Sequence, residues 1–370
     1  MADIRKLVAL SRRYGKDPEW VLAGGGNTSF KDESTLYVKA SGTSLGGIDE
    51  SGFCSIDRLR LDAMWKASYP ADTEAREAAA LADLMAARKP GEAKRPSVET
   101  LMHGLFPQAY VVHTHPSAIN GITCGREGRA AFERLFGDEG IWVPFVDPGY
   151  ILALTVREAL EAFRARKGRV PAIMLMQNHG LLVAGESPEE VEALSSRVME
   201  PVAAEAKRRP DLEARPVDGA ALSEALALLS GLGGKGCAIG FRCDAETLRL
   251  SATRAAFAPL ASAFTPDHIV YAGHEFALAE TPKAIEAAWA DFVKRNGVPP
   301  RVVVVAGLGA FSCAKSHGAA QTALLLYTDA CKVAAYAESF GGFSHMTKEK
   351  IDFIRNWEVE KYRSSVSAGK

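Results

Sequence analysis

Tyr110-Val111-Val112-His113-Thr114-His115 reads as a short β-strand that carries two imidazoles out at its end. Side chains at i and i+2 leave a strand on the same face, so His113 and His115 are able to present their rings to one point while Thr114 faces away. A second apolar run, Ala172 to Met176, ends in Gln177-Asn178-His179-Gly180, which supplies a third histidine at a strand end and a glycine that permits a sharp turn. Three neutral imidazoles around one ion with an open position is the arrangement of a catalytic zinc site. The residues alone leave a plainer reading open, because His-x-His pairs also arise without a metal and strand-end histidines often serve as caps.

Pro96-Ser97-Val98-Glu99-Thr100-Leu101-Met102-His103 reads as the opening of a helix, with proline near the first turn and an apolar stripe through Val98, Leu101, Met102 and Leu105. Glu99 is expected in that first turn, where the helix dipole and free backbone N–H groups favour a carboxylate. Beside a metal it would serve as a general base; without one it would only cap. His103, one turn later, reads as a packing or capping residue and not as a fourth ligand.

Two polar turns lie further upstream, Gly24-Gly25-Gly26-Asn27-Thr28-Ser29 and Ser41-Gly42-Thr43-Ser44. Successive backbone N–H groups in such turns form anion-binding nests, to which the hydroxyls and the Asn27 amide add donors. Neither fits the dinucleotide fingerprint or the P-loop, and each taken singly also reads as a hairpin turn.

In order along the chain, these five motifs resemble the class II aldolase/adducin family over roughly the first 200 residues. The resemblance implies that His113, His115 and His179 hold a divalent metal, usually Zn2+. It also implies that Glu99 transfers the proton and that Asn27, Ser29, Ser41, Gly42, Thr43 and Ser97 line a phosphate pocket. Val98 stands where the fuculose phosphate aldolase branch has a second serine. A longer resemblance runs through Pro96–His103, Val143-Pro-Phe-Val-Asp-Pro-Gly-Tyr150, Val302-Val-Val-Val-Ala-Gly-Leu-Gly309 and Trp357-Glu-Val-Glu-Lys361. It is to the aldolase portion of bifunctional rhamnulose-1-phosphate aldolase/alcohol dehydrogenases, whose dehydrogenase half has no counterpart in these 370 residues.

The implied reaction is retro-aldol cleavage of a ketose 1-phosphate to dihydroxyacetone phosphate and an aldehyde. Sugar-phosphate 4-epimerases, dehydratases and adducin-like scaffolds of the same family are the alternatives. A tyrosine often acts as the acid in this family, and Tyr110, Tyr150, Tyr327 and Tyr362 are all open. The family also implies a homo-oligomer, in homologues a tetramer.

Composition agrees with a soluble metabolic enzyme: 47% hydrophobic, 24% charged and a net charge of −1, which argues against broad binding to nucleic acid or membrane surfaces. The six cysteines show no Cys-x-x-Cys spacing, as expected for reduced thiols. No apolar core with a cleavage site follows Met1, and no run reaches membrane-spanning length, so a cytoplasmic location is expected.

The fold class expected is α/β: a layered α/β/α class II aldolase-like domain over 1–208, then a second α/β domain over 217–370. Charge and two prolines between Arg208 and Pro216 mark the boundary. Thr73 to Arg88 is an Ala-rich helix, and Ser187-Pro188-Glu189-Glu190 opens another that runs to about Lys207 with a bend near Pro201. In the second half, Cys237–Phe241, Thr247–Ser251, Ile269–Ala272 and Arg301–Ala306 read as strands, and a helix runs from Thr281-Pro282 to Asn296-Gly297. This half also reads as a degenerate, metal-free copy of the first, with Gly307–Ser316 laid on Asn178–Ser187 and Thr265–His274 on Phe106–His115. In that overlay His274 survives, while Ala272 and Leu308 replace the other two histidines. A rival reading takes Gly307-x-Gly309 as a dinucleotide loop, but Ser312 occupies the place of the third glycine.

Overall fold

The structure, a computed structural model, describes residues 4–357. The resembling stretch after Trp357, and Tyr362, lie outside the described residues. The described residues form two compact units, one running up to Ile119 with Arg129–Ala204, the other Asn120–Gly128 with the described residues from Glu205 onward.

The first unit is built on seven strands: β1 (Asn27–Lys31), β2 (Thr35–Lys39), β3 (Phe53–Asp57), β4 (Tyr110–Thr114), β5 (Gly140–Val143), β6 (Ile173–Met176) and β7 (Gly180–Gly185). They lie in the order β3-β2-β1-β4-β7-β6-β5, antiparallel except for the β5–β6 pair. The strands at the centre read as unbroken apolar runs because helices cover both faces. On one face Val111, Leu182, Ala184, Met174 and Met176 pack against Met102 and Phe106 and against Leu152, Val156, Leu160 and Phe163 of the helix Tyr150–Lys167. On the other face the helices Arg5–Lys16 and Pro188–Glu205 are joined by the Tyr14 hydroxyl donating to Ser195 Oγ at 2.7 Å, and Ser11 Oγ lies 2.6 Å from Thr28 Oγ1. The unit is therefore the layered α/β/α arrangement expected.

The second unit carries β8 (Ala238–Arg242), β9 (Ala277–Ala279), β10 (Val302–Val305) and β11 (Gly309–Ala314) in the order β8-β11-β10-β9. Chain order, spatial order and strand directions repeat those of β4-β7-β6-β5, including the one parallel pair. Helices Gly219–Gly233 and Ile285–Asn296 cover this sheet through Leu229, Trp289 and Phe292.

Two expected strands are corrected. Thr247–Ser251 lies in a helix, Ala245–Ser251, whose N-cap Asp244 accepts from Thr247 N–H at 2.7 Å. Ile269–Ala272 lies in a π-turn, His268–Ala272, closed by Gly273 N–H donating to His268 O at 2.9 Å. Its apolar side chains are buried as they would be in a strand, but His268 bonds Asp329 at 2.9 Å and Arg301 reaches Val270 O, so the backbone is held off the sheet.

The overlay of the two halves is corrected with them. The hairpin half holds: β10–β11 closes at Val305↔Gly309 as β6–β7 does at Met176↔Gly180, and Gly307 (φ 71°) takes the left-handed place of Asn178 (φ 52°). The strand half shifts, because the neighbour of β11 is β8 and not the segment around His274. His113 pairs with Leu182, and the equivalent pair is Phe241 with Phe311. The counterparts of His113, His115 and His179 are thus Phe241, Cys243 and Leu308, and His274 stands at none of these places.

Candidate metal centre

His113 is the penultimate residue of β4, on the face covered by the helix Thr100–Leu105, and His115 follows one residue past the strand. His179 closes the loop from β6 to β7, where Asn178 in the left-handed region turns the chain back. Their ligand atoms all lie within 4.8 Å of one another. Nε2 of His113 stands 2.9 Å from that of His115 and 3.3 Å from that of His179. Nitrogens bound tetrahedrally to one zinc at about 2.0–2.1 Å would be about 3.3 Å apart, so the donor set fits such an ion.

The His113 tautomer fits as well. Its Nδ1–H donates to Leu181 O at 2.8 Å, which leaves the Nε2 lone pair facing the cluster. Burial, opposed by Glu99 and aided by the other two imidazoles, holds its pKa well below the ordinary histidine value, so the ring is neutral as a ligand must be. Gly180 makes room for the cluster. A Cβ there would lie 2.5 Å from Thr114 O and 2.8 Å from His115 Cδ2.

Glu99 joins the three rings by a route different from the one expected. It is the N-cap residue of the helix Thr100–Leu105 and not a member of its first turn. Pro96 bridges to Ala40, and Ser97 N–H donates to Lys39 O at 3.2 Å, so the chain stays pinned to the end of β2 until Glu99. Its carboxylate caps nothing. Oε1 lies 3.1 Å from His179 Nε2 and 3.6 Å from His113 Nε2, while Oε2 accepts from the Asn27 amide. Burial works to raise its pKa, but the attraction of His113, a hydrogen bond to His179 and the remaining imidazole take it well below the carboxylate range.

The expected phosphate residues divide into two groups. Ser41, Gly42 and Thr43 are half-buried, and Ser41 N–H donates to Arg95 O at 2.8 Å, which holds the turn beside Ser97. Ser97 Oγ accepts from Glu99 N–H at 3.3 Å and lies 3.4 Å from Asn27 Nδ2. Asn27 is 5% exposed with its amide engaged on both ends, and Ser29 is fully buried with its hydroxyl 2.7 Å from His103 Nδ1. Ser29 thus has no surface open to a phosphate.

The role of His103 escaped the sequence reading. It is neither ligand nor cap but links Asn27 to Ser29. The available signal was the i, i+2 placement of Asn27 and Ser29 on the face of β1 that pairs across to His113. Among the candidate acids, Tyr110 packs against Phe30 on the opposite face of β4 from His113, Tyr150 packs on Trp65 and Tyr69, and Tyr327 is buried in the second unit.

The class II aldolase and adducin N-terminal domain profile matches residues 5–200, more than half of the chain. The chain belongs to the class II aldolase and adducin family. A second profile, the second domain of class II aldolases, matches residues 286–363. One curated relative, an uncharacterized oxidoreductase named YuxG from Bacillus subtilis (strain 168), is 23% identical over 98% of this chain, and this chain spans 58% of that protein's length. Among solved structures, the N-terminal class II aldolase domain of a conserved Thermoplasma acidophilum protein is 29% identical, with a TM-score of 0.46, over 55% of this chain and 93% of that one. L-fuculose-1-phosphate aldolase from Thermus thermophilus is 17% identical, with a TM-score of 0.36, over 54% of this chain and 93% of that one. No helix among the described residues is long and apolar enough to cross a membrane.

Proposed function

We propose that this class II aldolase family member is a metal-dependent aldehyde-lyase that cleaves a ketose 1-phosphate, of the rhamnulose 1-phosphate kind, to dihydroxyacetone phosphate and an aldehyde. The observation that carries this reading is the Glu99 carboxylate standing 3.1 Å from His179 Nε2 and 3.6 Å from His113 Nε2. His113, His115 and His179 would hold the divalent metal, zinc on the strength of an all-imidazole donor set with an open position. Bound there, the metal would supply Lewis-acid stabilisation of the negative charge that develops on substrate oxygens.

The proton is the task of Glu99. Cleavage of the carbon–carbon bond takes the proton from the hydroxyl whose carbon becomes the aldehyde and leaves an electron pair on the carbon that becomes the hydroxymethyl group of the ketone product; the Glu99 carboxylate takes up the released proton and delivers it to that carbon. The half-buried Ser41-Gly42-Thr43 turn, held beside Ser97, is the part of the expected phosphate pocket that offers donors to a ligand. Anchoring the phosphate at that turn would fix the scissile bond relative to Glu99.

The test is turnover of phosphorylated ketoses with zinc, cobalt or manganese added, with triose phosphate read by a coupled assay and bound metal by elemental analysis. Glu99→Gln is expected to keep its metal and lose about 100-fold or more in turnover, because it removes the proton carrier and no ligand. His115→Ala is expected to lose metal and turnover together. Full activity in Glu99→Gln would remove Glu99 from the reaction, and an epimerised or dehydrated sugar in place of triose phosphate would move the chain to another branch of its family.

A further inference from the structure

We propose that His103 and Asn27 form a one-way clamp that positions the Glu99 carboxylate, with Ser29 closing its far end; the inference rests on the aldolase reading for what Glu99 does, and not for how it is held. The contacts run in a single line from Ser29 Oγ to His103 Nδ1 (2.7 Å), from His103 Nε2 to Asn27 Oδ1, and from Asn27 Nδ2 to Glu99 Oε2.

Only one assignment of hydrogens satisfies that line. A carboxylate oxygen accepts and does not donate, so the Asn27 amide must turn its NH2 to Glu99 and its oxygen to His103. Asn27 Oδ1 is likewise an acceptor, so His103 Nε2 must carry a hydrogen. Burial, against the pull of Glu99 and with the help of Lys31, lowers the His103 pKa to about 3, so the ring is neutral and Nδ1 is bare. Nδ1 then accepts from the Ser29 hydroxyl. Flipping the Asn27 amide would set oxygen against oxygen at Glu99.

The elements make the clamp stiff. Asn27 and Ser29 lie on one face of β1, His103 projects from the helix that Glu99 itself begins, and His103, Ser29 and Asn27 are all buried. Holding Oε2 leaves Oε1 as the oxygen that faces His179 and His113. His103 and Asn27 are therefore positioning residues: their side chains hydrogen-bond to Glu99, to the serines beside it or to each other.

The deciding measurement is the His103 tautomer in the metal-loaded wild-type chain, read from long-range 1H–15N correlations of 15N-histidine-labelled protein and assigned with His103→Gln. The expected result is a neutral Nε2–H ring at pH 7, in contrast to the Nδ1–H form expected for His113. A His103 found as Nδ1–H or as imidazolium would overturn the clamp. In turnover, His103→Leu is expected to lose about 10-fold to 100-fold in kcat, with KM changed by less than about threefold and a full metal complement. His103→Gln, which returns an amide N–H near the place of Nε2, is expected to recover most of that loss. Equal turnover in the leucine and glutamine variants would also overturn it. The two readings fail separately. A wild-type chain that releases no triose phosphate sinks the aldolase reading while the tautomer still decides the clamp, whereas triose phosphate release undiminished in His103→Leu sinks the clamp alone.

Discussion

Gly180 shapes the histidine cluster as much as the imidazoles do, since any side chain there would meet His115 Cδ2 at 2.8 Å. At this scale the sequence was most readable where strand geometry alone decides direction, as at His113 and His115. It was least readable where a residue's role depends on what the chain packs against. Glu99 was expected in a first turn and stands one place before the helix, because hydrogen bonding to β2 delays the helix start.

Lys31 shows the same dependence on packing and carries a pH prediction. Its buried Nζ donates to Phe106 O at 3.0 Å and Gln108 O at 2.7 Å at the end of the helix Thr100–Leu105. Burial, with a contribution from Arg58 and against Glu186, lowers its pKa from 10.5 to about 7. Between those values the unfolded chain binds the extra proton, so this group makes stability rise with pH, by at most about 1.4 kcal/mol per unit. Below about pH 7 the destabilisation is complete. Lys31→Met has no such group, so the stability of the wild type relative to Lys31→Met is expected to rise between pH 7 and pH 9 in urea titrations; a constant difference would show that burial does not hold the amine neutral.

Among the elements, the helix Ala245–Ser251 was mistaken for a strand because Leu248 and Leu250 alternate with Thr247, Arg249 and Ser251 in a short window, and seven residues do not separate the two periods. The decisive signal was Asp244, an N-cap whose Oδ1 accepts from Thr247 N–H. This helix also anchors the second unit's leading segment. Arg208 reaches Glu246 at 2.6 and 2.8 Å and Glu338 at 2.8 and 2.9 Å, and Arg249 joins both carboxylates. The sequence marked Arg208 only as the start of a linker. Arg208→Ala is expected to cost about 1–3 kcal/mol, less than a fully broken buried pair because Arg249 still faces Glu246. Arg208→Lys should restore only part of that, since an ammonium lacks the planar fork that meets two carboxylates at once. Denaturant midpoints at unchanged m-value test both, and a shift within about 0.3 kcal/mol in Arg208→Ala would mean the network contributes nothing net.

On the scale of the whole molecule, the three clustered histidines belong to the first unit, and the second repeats the order of four of its seven strands with Phe241, Cys243 and Leu308 at the equivalent places. Metal bound only to the folded state stabilises by about 2.7 kcal/mol at one hundred times its dissociation constant. Chelation is therefore expected to lower the melting temperature of the wild type and added zinc to restore it, while His115→Ala should respond to neither. A wild-type melting temperature indifferent to both would argue that the cluster is filled by protein hydrogen bonds alone.

Taken by itself, the sequence determined the strand ends that carry histidine, the α/β alternation, the hairpin shared by both halves and the family. Each of these depends on residues close together in the chain, where side-chain periodicity and turn chemistry act directly. Only the tertiary structure decided that Ile269–Ala272 leaves the sheet, that β8 takes the place of β4 in the repeat, and that Asn27, Ser29 and His103 meet behind Glu99. Those outcomes depend on hydrogen bonds between segments more than 60 residues apart, such as His268 with Asp329 and Asn27 with Glu99, and no local pattern encodes such a partner.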